Sequence, residues 1–203
     1  MIHIVDYGLG NILAFRNMYK QLNLEVTVAK TAADLANATR IILPGVGAFA
    51  HAMELLEASG MRGTLTDLVI DRKTPVIGIC VGMQILAEGS DEGSRPGLGW
   101  VPGRVRHFKT MADPEVRVPH MGWNDVSPRA GTGLFAGLEQ EARFYFLHSY
   151  YFQCADTADA AAEARYGTAF TCAVKRGNVA GVQFHPEKSH HFGARLLKNF
   201  AEQ

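Results

Sequence analysis

Short, nearly continuous apolar runs alternate with amphipathic stretches through the first half of the chain. Residues 2–6 read as a strand buried on both faces, 24–29 and 40–43 as the strands that follow it, and 76–79 as a short buried strand. Between the first two, Ile12, Phe15, Met18, Tyr19 and Leu22 fall on one stripe of a helix that follows Gly8-Leu9-Gly10-Asn11. Thr31 and Asp34 have capping-box spacing for a short helix, and further helices are expected over 50–58 and 63–71. Strands separated by helices predict a parallel sheet covered on both sides. From Trp100 onward the rhythm shortens. Residues 103–108, 116–118, 143–152, 169–175 and 179–184 read as strands with turns between them, which suits antiparallel additions to that sheet. The alanine-rich 158–162 reads as a surface segment and 89–99 as a loop. Residues 189–200 read as a closing helix with Phe192, Leu196, Leu197 and Phe200 inward. No repeat or linker divides the chain, so 1–203 is expected to be a single domain.

One strand ends in chemistry. Gly78-x-Cys80-x-Gly82 has the spacing of a nucleophile elbow, a sharp strand-to-helix turn with sulfur in place of the usual hydroxyl. The turn strains the backbone at Cys80, and side chains at the flanking glycines would collide with the neighbouring strand or helix. A thiol aimed at a helix N-terminus is favoured as thiolate. Taken alone, the stretch also fits a buried structural cysteine. A nucleophile needs a base and the base an orienter. Gly181 to Ser189 supplies both: an apolar strand ends at His185, and Glu187 stands two residues on, after Pro186. Pro44-Gly45-Val46-Gly47-Ala48-Phe49 closes the third strand. Its small residues let a peptide N–H approach, so Val46 and Gly47, with the Val81 N–H, are candidates for holding a developing oxyanion. A Gly-x-Gly after the first strand invites a dinucleotide-binding reading, but the third small position falls at Leu13 and the fingerprint fails.

Cys80 in its elbow together with His185-Pro186-Glu187 resembles the triad of the class I glutamine amidotransferases. More narrowly, Asp6-Tyr7-Gly8-Leu9-Gly10-Asn11, the Pro44–Phe49 turn, Pro119-His120-Met121-Gly122-Trp123-Asn124 and His185-Pro186-Glu187-Lys188-Ser189 resemble the glutaminase subunits of imidazole glycerol phosphate synthases. The likeness spans essentially the whole chain, motifs in order. Val81 stands where leucine is commoner and His190 where glutamine is expected. The resemblance implies an α/β, flavodoxin-like open mixed sheet with a mainly parallel centre. It implies a catalytic Cys80, His185 and Glu187, and glutamine held by Gly45, Gly47, Gln84, Glu92, His148, Ser149 and Tyr150. It also implies a (β/α)8-barrel synthase partner that receives ammonia, met by Asn11, Met121, Trp123, Tyr145 and Lys188. Met121 and Trp123 lie in a polar stretch that makes a poor core strand, as interface anchors would. Rival readings are a glutaminase serving another pathway, a cysteine-elbow protein of other function, and a non-catalytic binding subunit.

Composition narrows the partners. Twenty basic residues balance twenty acidic ones, so the phosphate backbone of a nucleic acid is not an expected ligand. No apolar run reaches the ~18 residues of a membrane span, and Met1 leads straight into a strand, so a cytoplasmic protein is expected. Cys80, Cys154 and Cys172 are few and far apart, which suits reduced thiols. No metal-ligand spacing is present, and no cofactor is expected; His190-His191 reads as a solvated helix start.

Overall fold

The structure, a computed structural model, describes residues 1–111 and 116–203. The strands are β1 (Ile2–Val5), β2 (Val26–Ala29), β3 (Arg40–Gly45), β4 (Val76–Cys80), β5 (Gly89–Ser90) and β6 (Gly103–His107). They continue as β7 (His120–Pro128), β8 (Arg143–His148), β9 (Tyr150–Cys154), β10 (Ala160–Tyr166), β11 (Thr168–Arg176) and β12 (Val179–Val182). Helices are α1 (Ile12–Gln21), α2 (Phe49–Ala58), α3 (Arg62–Thr66), α4 (Val81–Gln84) and α5 (His190–Glu202). The main path of the sheet runs β2-β1-β3-β4-β12-β11-β10-β7-β8, with β5, β6 and β9 branching from β11. β2, β1, β3, β4 and β12 are parallel, and β11, β10, β7 and β8 continue antiparallel. This is the α/β mixed sheet that the alternation of apolar runs and amphipathic stretches implies.

Burial explains the pattern. β1, β4 and β12 are buried along their whole length, as continuous apolar runs in a doubly covered sheet must be. α1 turns Phe15 and Tyr19 inward and rests against α5, which buries Leu196, Leu197 and Phe200. Where the sheet turns antiparallel, Phe144 stacks on Phe184 at 3.9 Å between ring centroids, with Phe135 edge-on to both. Each such ring removed from water contributes roughly 1.5–3 kcal/mol. In the connection from β2 to β3 the capping box forms: Asp34 Oδ2 accepts from the Lys30 and Thr31 N–H groups, and Thr31 Oγ1 accepts from Asp34 N–H.

Five expectations change, the first being that Gly89 and Ser90, at the start of the expected 89–99 loop, form β5 beside β6. Residues 116–118 form no strand; the strand is β7, which starts beyond Pro119 and spans the polar segment that alternation alone underrates. Over its first half Met121 and Trp123 face outward while His120 is buried, the reverse of the apolar-in alternation by which a half-exposed strand is read. Residues 143–152 are two strands, because the chain leaves β7 at Ser149 and pairs next with β6. The alanines at 160–162 are buried in β10, where small side chains suit a crowded strand between β11 and β7. The last parallel strand stops at Val182; beyond it the Gln183 N–H donates to the Cys172 carbonyl of β11 and the His185 N–H to the Tyr145 carbonyl of β8.

Candidate active site

The parallel strands deliver the site at their carboxyl ends. Gly45, closing β3, lies in register with Cys80, closing β4. Cys80 has φ +55°, a left-handed conformation that costs a non-glycine residue on the order of 1–3 kcal/mol. The glycines around it are sterically required. A Cβ at Gly78 would strike the Gly82 carbonyl, one at Gly82 the Leu43 carbonyl, and one at Gly45 the Gly82 nitrogen. β3, β4 and the elbow therefore touch backbone to backbone. The elbow helix α4 is a single turn, shorter than the apolar run after Cys80 implies.

Cys80 and His185 are both buried, and His185 Nδ1 stands 2.8 Å from Glu187 Oε1. A carboxylate oxygen accepts, so the imidazole carries its proton on Nδ1 and turns Nε2 toward the sulfur. Burial works against charge on His185, but hydrogen bonding to Cys80 and Glu187 and the charges on both overcome it, raising the imidazole from 6.5 to about 10. His185 is thus imidazolium at neutral pH. Because its affinity for protons rises on folding, its contribution to stability is fully present below pH ~6.5 and lost as pH climbs through about 10. Glu187 Oε2 is, among the described residues, the one buried side-chain oxygen or nitrogen without a hydrogen-bond partner.

These groups face a cavity of about 330 Å³ lined by Val46, Gly47, Cys80, Val81, Gln84, Glu92, His148, Ser149, Tyr150, His185 and Lys188, with Pro119 and Leu147. Residues from sequence stretches more than a hundred positions apart meet there. Gly45 does not line it; it underlies it, against Gly82. Gly47, at φ +92°, has open space where a Cβ would stand. Glu92 Oε2 accepts from the Phe49 N–H at 2.6 Å, tying the 89–99 loop to the start of α2.

A buried side chain beside the sulfur was not anticipated. Gln183 is fully buried, and its Nε2 donates to Cys80 Sγ at 3.7 Å. Gln84 Nε2 donates to Gln183 Oε1 at 3.0 Å and to the Tyr150 carbonyl at 3.4 Å. The carbonyl can only accept, so the Gln84 amide has one sense, and Gln183 must then turn its own N–H to the sulfur. The available signal was a glutamine inside an otherwise apolar run ahead of His185.

Of the residues expected at an interface, Met121 is 65% and Trp123 39% exposed. In the β7–β8 ladder they pair with Leu147 and Tyr145, so the four share one face beside the cavity mouth. Lys188 Nζ sits 5.7 Å from the Tyr145 ring centroid. Asn11 caps α1, its Oδ1 accepting from the Ala14 N–H, and α1 packs against the 186–188 turn that carries Lys188. His190 stacks parallel on Trp123 at 5.4 Å. Among the described residues no cluster of three His, Cys, Asp or Glu is placed to hold a metal ion, and no helix is long and apolar enough to cross a membrane.

The family model described as glutamine amidotransferase class-I matches residues 3–203. The imidazole glycerol phosphate synthase subunit HisH of Bdellovibrio bacteriovorus is 63% identical over 203 residues, covering 100% of both chains. The subunit of that name from Leptospira borgpetersenii is 51% identical over 202 residues, covering 99% of each. Among solved structures, a glutamine amidotransferase superposes with TM-score 0.77 at 20% identity, covering 99% of this chain and 97% of the other. PurLQS from Thermotoga maritima superposes with TM-score 0.74 at 16% identity, with the same coverages.

Proposed function

Since the chain belongs to the class I glutamine amidotransferases, and within them to the glutaminase subunits of imidazole glycerol phosphate synthase, we propose that it cleaves glutamine through a Cys80 thioester and hands the ammonia to a separate (β/α)8-barrel synthase subunit. That subunit adds the nitrogen to a phosphoribulosyl aminoimidazole carboxamide nucleotide, yielding imidazole glycerol phosphate and aminoimidazole carboxamide ribonucleotide for histidine biosynthesis. The observation that carries the chemistry is a buried thiol in a strained elbow, facing an imidazole that a carboxylate orients and that Cys80 and Glu187 together favour in its charged form.

The steps use groups already in place. The Cys80 thiolate attacks the side-chain carboxamide carbon, and the C=O electron pair moves onto oxygen. N–H groups of Val81 and of the Val46–Gly47 turn hold that oxyanion. As the C–N bond breaks, His185 gives its Nε2 proton to the leaving nitrogen, which departs as ammonia. The neutral imidazole then takes a proton from water, the hydroxide attacks the thioester, and the C–S bond breaks. Glutamate leaves and the thiolate–imidazolium pair is restored. Glutamine and water have become glutamate and ammonia.

The cavity lies at the small end of ligand sites, which suits a single amino acid. Glu92, with one oxygen still free, meets the α-ammonium group; Gln84, His148 and the Ser149–Tyr150 backbone hold the remainder. The synthase docks on the Met121, Trp123, Tyr145 and Lys188 face and on Asn11, so that ammonia passes without entering bulk water. The protein works as one domain in the cytoplasm and needs no cofactor of its own.

Glutamate release tests this reading. The purified chain alone is expected to be slow, as it is with the barrel subunit, and fast only when the barrel is also loaded with its nucleotide. High activity that ignores the barrel would keep the glutaminase chemistry and remove the proposed acceptor.

A further inference from the structure

We infer that His120, which does not line the cavity, is a positioning residue for its substrate wall, acting through His148. The two imidazoles oppose each other across the β7–β8 ladder, and both are almost fully buried. Their proton positions follow from the ends of the chain they form. His148 Nδ1 is 2.7 Å from the Tyr150 carbonyl oxygen, which can only accept, so Nδ1 carries the hydrogen and Nε2 is bare. His120 Nδ1 lies 2.9 Å from that bare nitrogen and must donate to it. His120 Nε2 is then an acceptor, and Asn124 Nδ2 stands 3.2 Å away to supply its hydrogen. The Asn124 amide is fixed in turn, because Nδ2 also donates to the Arg165 carbonyl at 2.9 Å and Oδ1 accepts from the Asp125 N–H at 2.8 Å. Every orientation from Asn124 to Tyr150 is determined, with a backbone carbonyl at each end.

This chain reaches the site at a sensitive point. The Tyr150 carbonyl that accepts from His148 also accepts from Gln84, and Gln84 holds the amide of Gln183 against the sulfur. His120 thus stabilises the one tautomer of His148 that can pin the 148–150 turn. With Nε2–H instead, His148 would face the Tyr150 carbonyl with a bare Nδ1, and the two acceptors would repel. Packing holds the relay rigid: the His120 ring lies nearly parallel to Phe146 at 4.7 Å and to Tyr166 at 4.1 Å. Burial also keeps both rings uncharged at neutral pH, His120 lowered to about 4 and His148 to about 3, the latter against its bond to Tyr150 and aided by nearby His120 and His185. A neutral His148 can stand beside the His185 imidazolium without repelling it.

The test uses His120→Phe, which fills the slot between Phe146 and Tyr166 but donates nothing, and His120→Asn, which returns an N–H near the Nδ1 position. Nitrogen-15 NMR of the wild-type chain should find His148 protonated on Nδ1 and bare on Nε2. In His120→Phe that single tautomer gives way to a mixture, and in the complex with the barrel subunit KM for glutamine rises about tenfold while kcat stays within about threefold. His120→Asn recovers most of the KM and the Nδ1–H form. The inference fails if wild-type His148 carries its proton on Nε2, or if His120→Phe changes neither tautomer nor KM. It also fails if His120→Phe lowers kcat and raises KM together and His120→Asn restores nothing. The kinetic arm rests on the glutaminase reading; the wild-type NMR spectrum does not, so it decides the positioning role even if the chain hydrolyses no glutamine or the phenylalanine variant does not fold.

Discussion

Cys80→Ala is expected to lower glutamate release by on the order of 10⁴-fold or more, because no neighbouring group can form the covalent intermediate in its place. In the assembled enzyme, synthesis from added ammonia should continue near the wild-type rate, since the variant alters only the source of nitrogen. Stability should change little: alanine accepts the same φ about as readily as cysteine, and only a small side chain is removed. The variant also reports on the imidazole. Loss of the sulfur removes a hydrogen bond and a charge that raise His185, so its NMR titration midpoint should move down from about 10. Parallel loss of glutamine- and ammonia-dependent synthesis would mean that Cys80 is structural or that the ammonia route is wrong.

Gly82→Ala should be the most damaging single-methyl change in the site. Its new Cβ would fall on the Leu43 carbonyl, with the Pro44 carbonyl close behind. Both belong to backbone in β3, which cannot swing aside as a flexible side chain could. We expect a loss of at least about 3 kcal/mol in denaturant unfolding, or failure to fold, since overpacking against fixed backbone exceeds the usual cost of an added methylene. A soluble Gly82→Ala protein with wild-type stability and activity would show that β3 and the elbow are not in backbone contact.

How far the sequence reached depends on the kind of force involved. Cys80, Gly78 and Gly82 were legible because a strained turn imposes steric demands on adjacent positions, and those demands are local. The inner parallel strands β4 and β12 were legible for a similar reason: burial on both faces leaves an unbroken apolar run. The antiparallel half was harder. β7 turns Met121 and Trp123 outward and His120 and Asn124 inward, so the usual apolar-in alternation hides it, and only pairing with β8 and β10 makes it a strand. The division of 143–152 at Ser149 follows from a change of partner that no local pattern encodes. The alanines of β10 looked like surface because small residues carry little hydrophobic signal, yet crowding favours them. Gln183 and His120 were missed for one shared reason. Each is a polar residue in a core-like setting, and its meaning lies in a hydrogen bond to a residue 28 or more positions away. Glu92, by contrast, was singled out for a substrate contact, and the structure adds its tie to the Phe49 N–H.

The central claim is that Cys80 is the group that attacks glutamine, and covalent trapping tests it most directly. The purified chain would be treated with a glutamine-like electrophile and its intact mass and peptides measured. The account predicts one adduct, on Cys80 and not on Cys154 or Cys172, slowed by excess glutamine and absent from Cys80→Ala. Labelling that ignores glutamine, or that falls on another cysteine while Cys80 stays free, would contradict it.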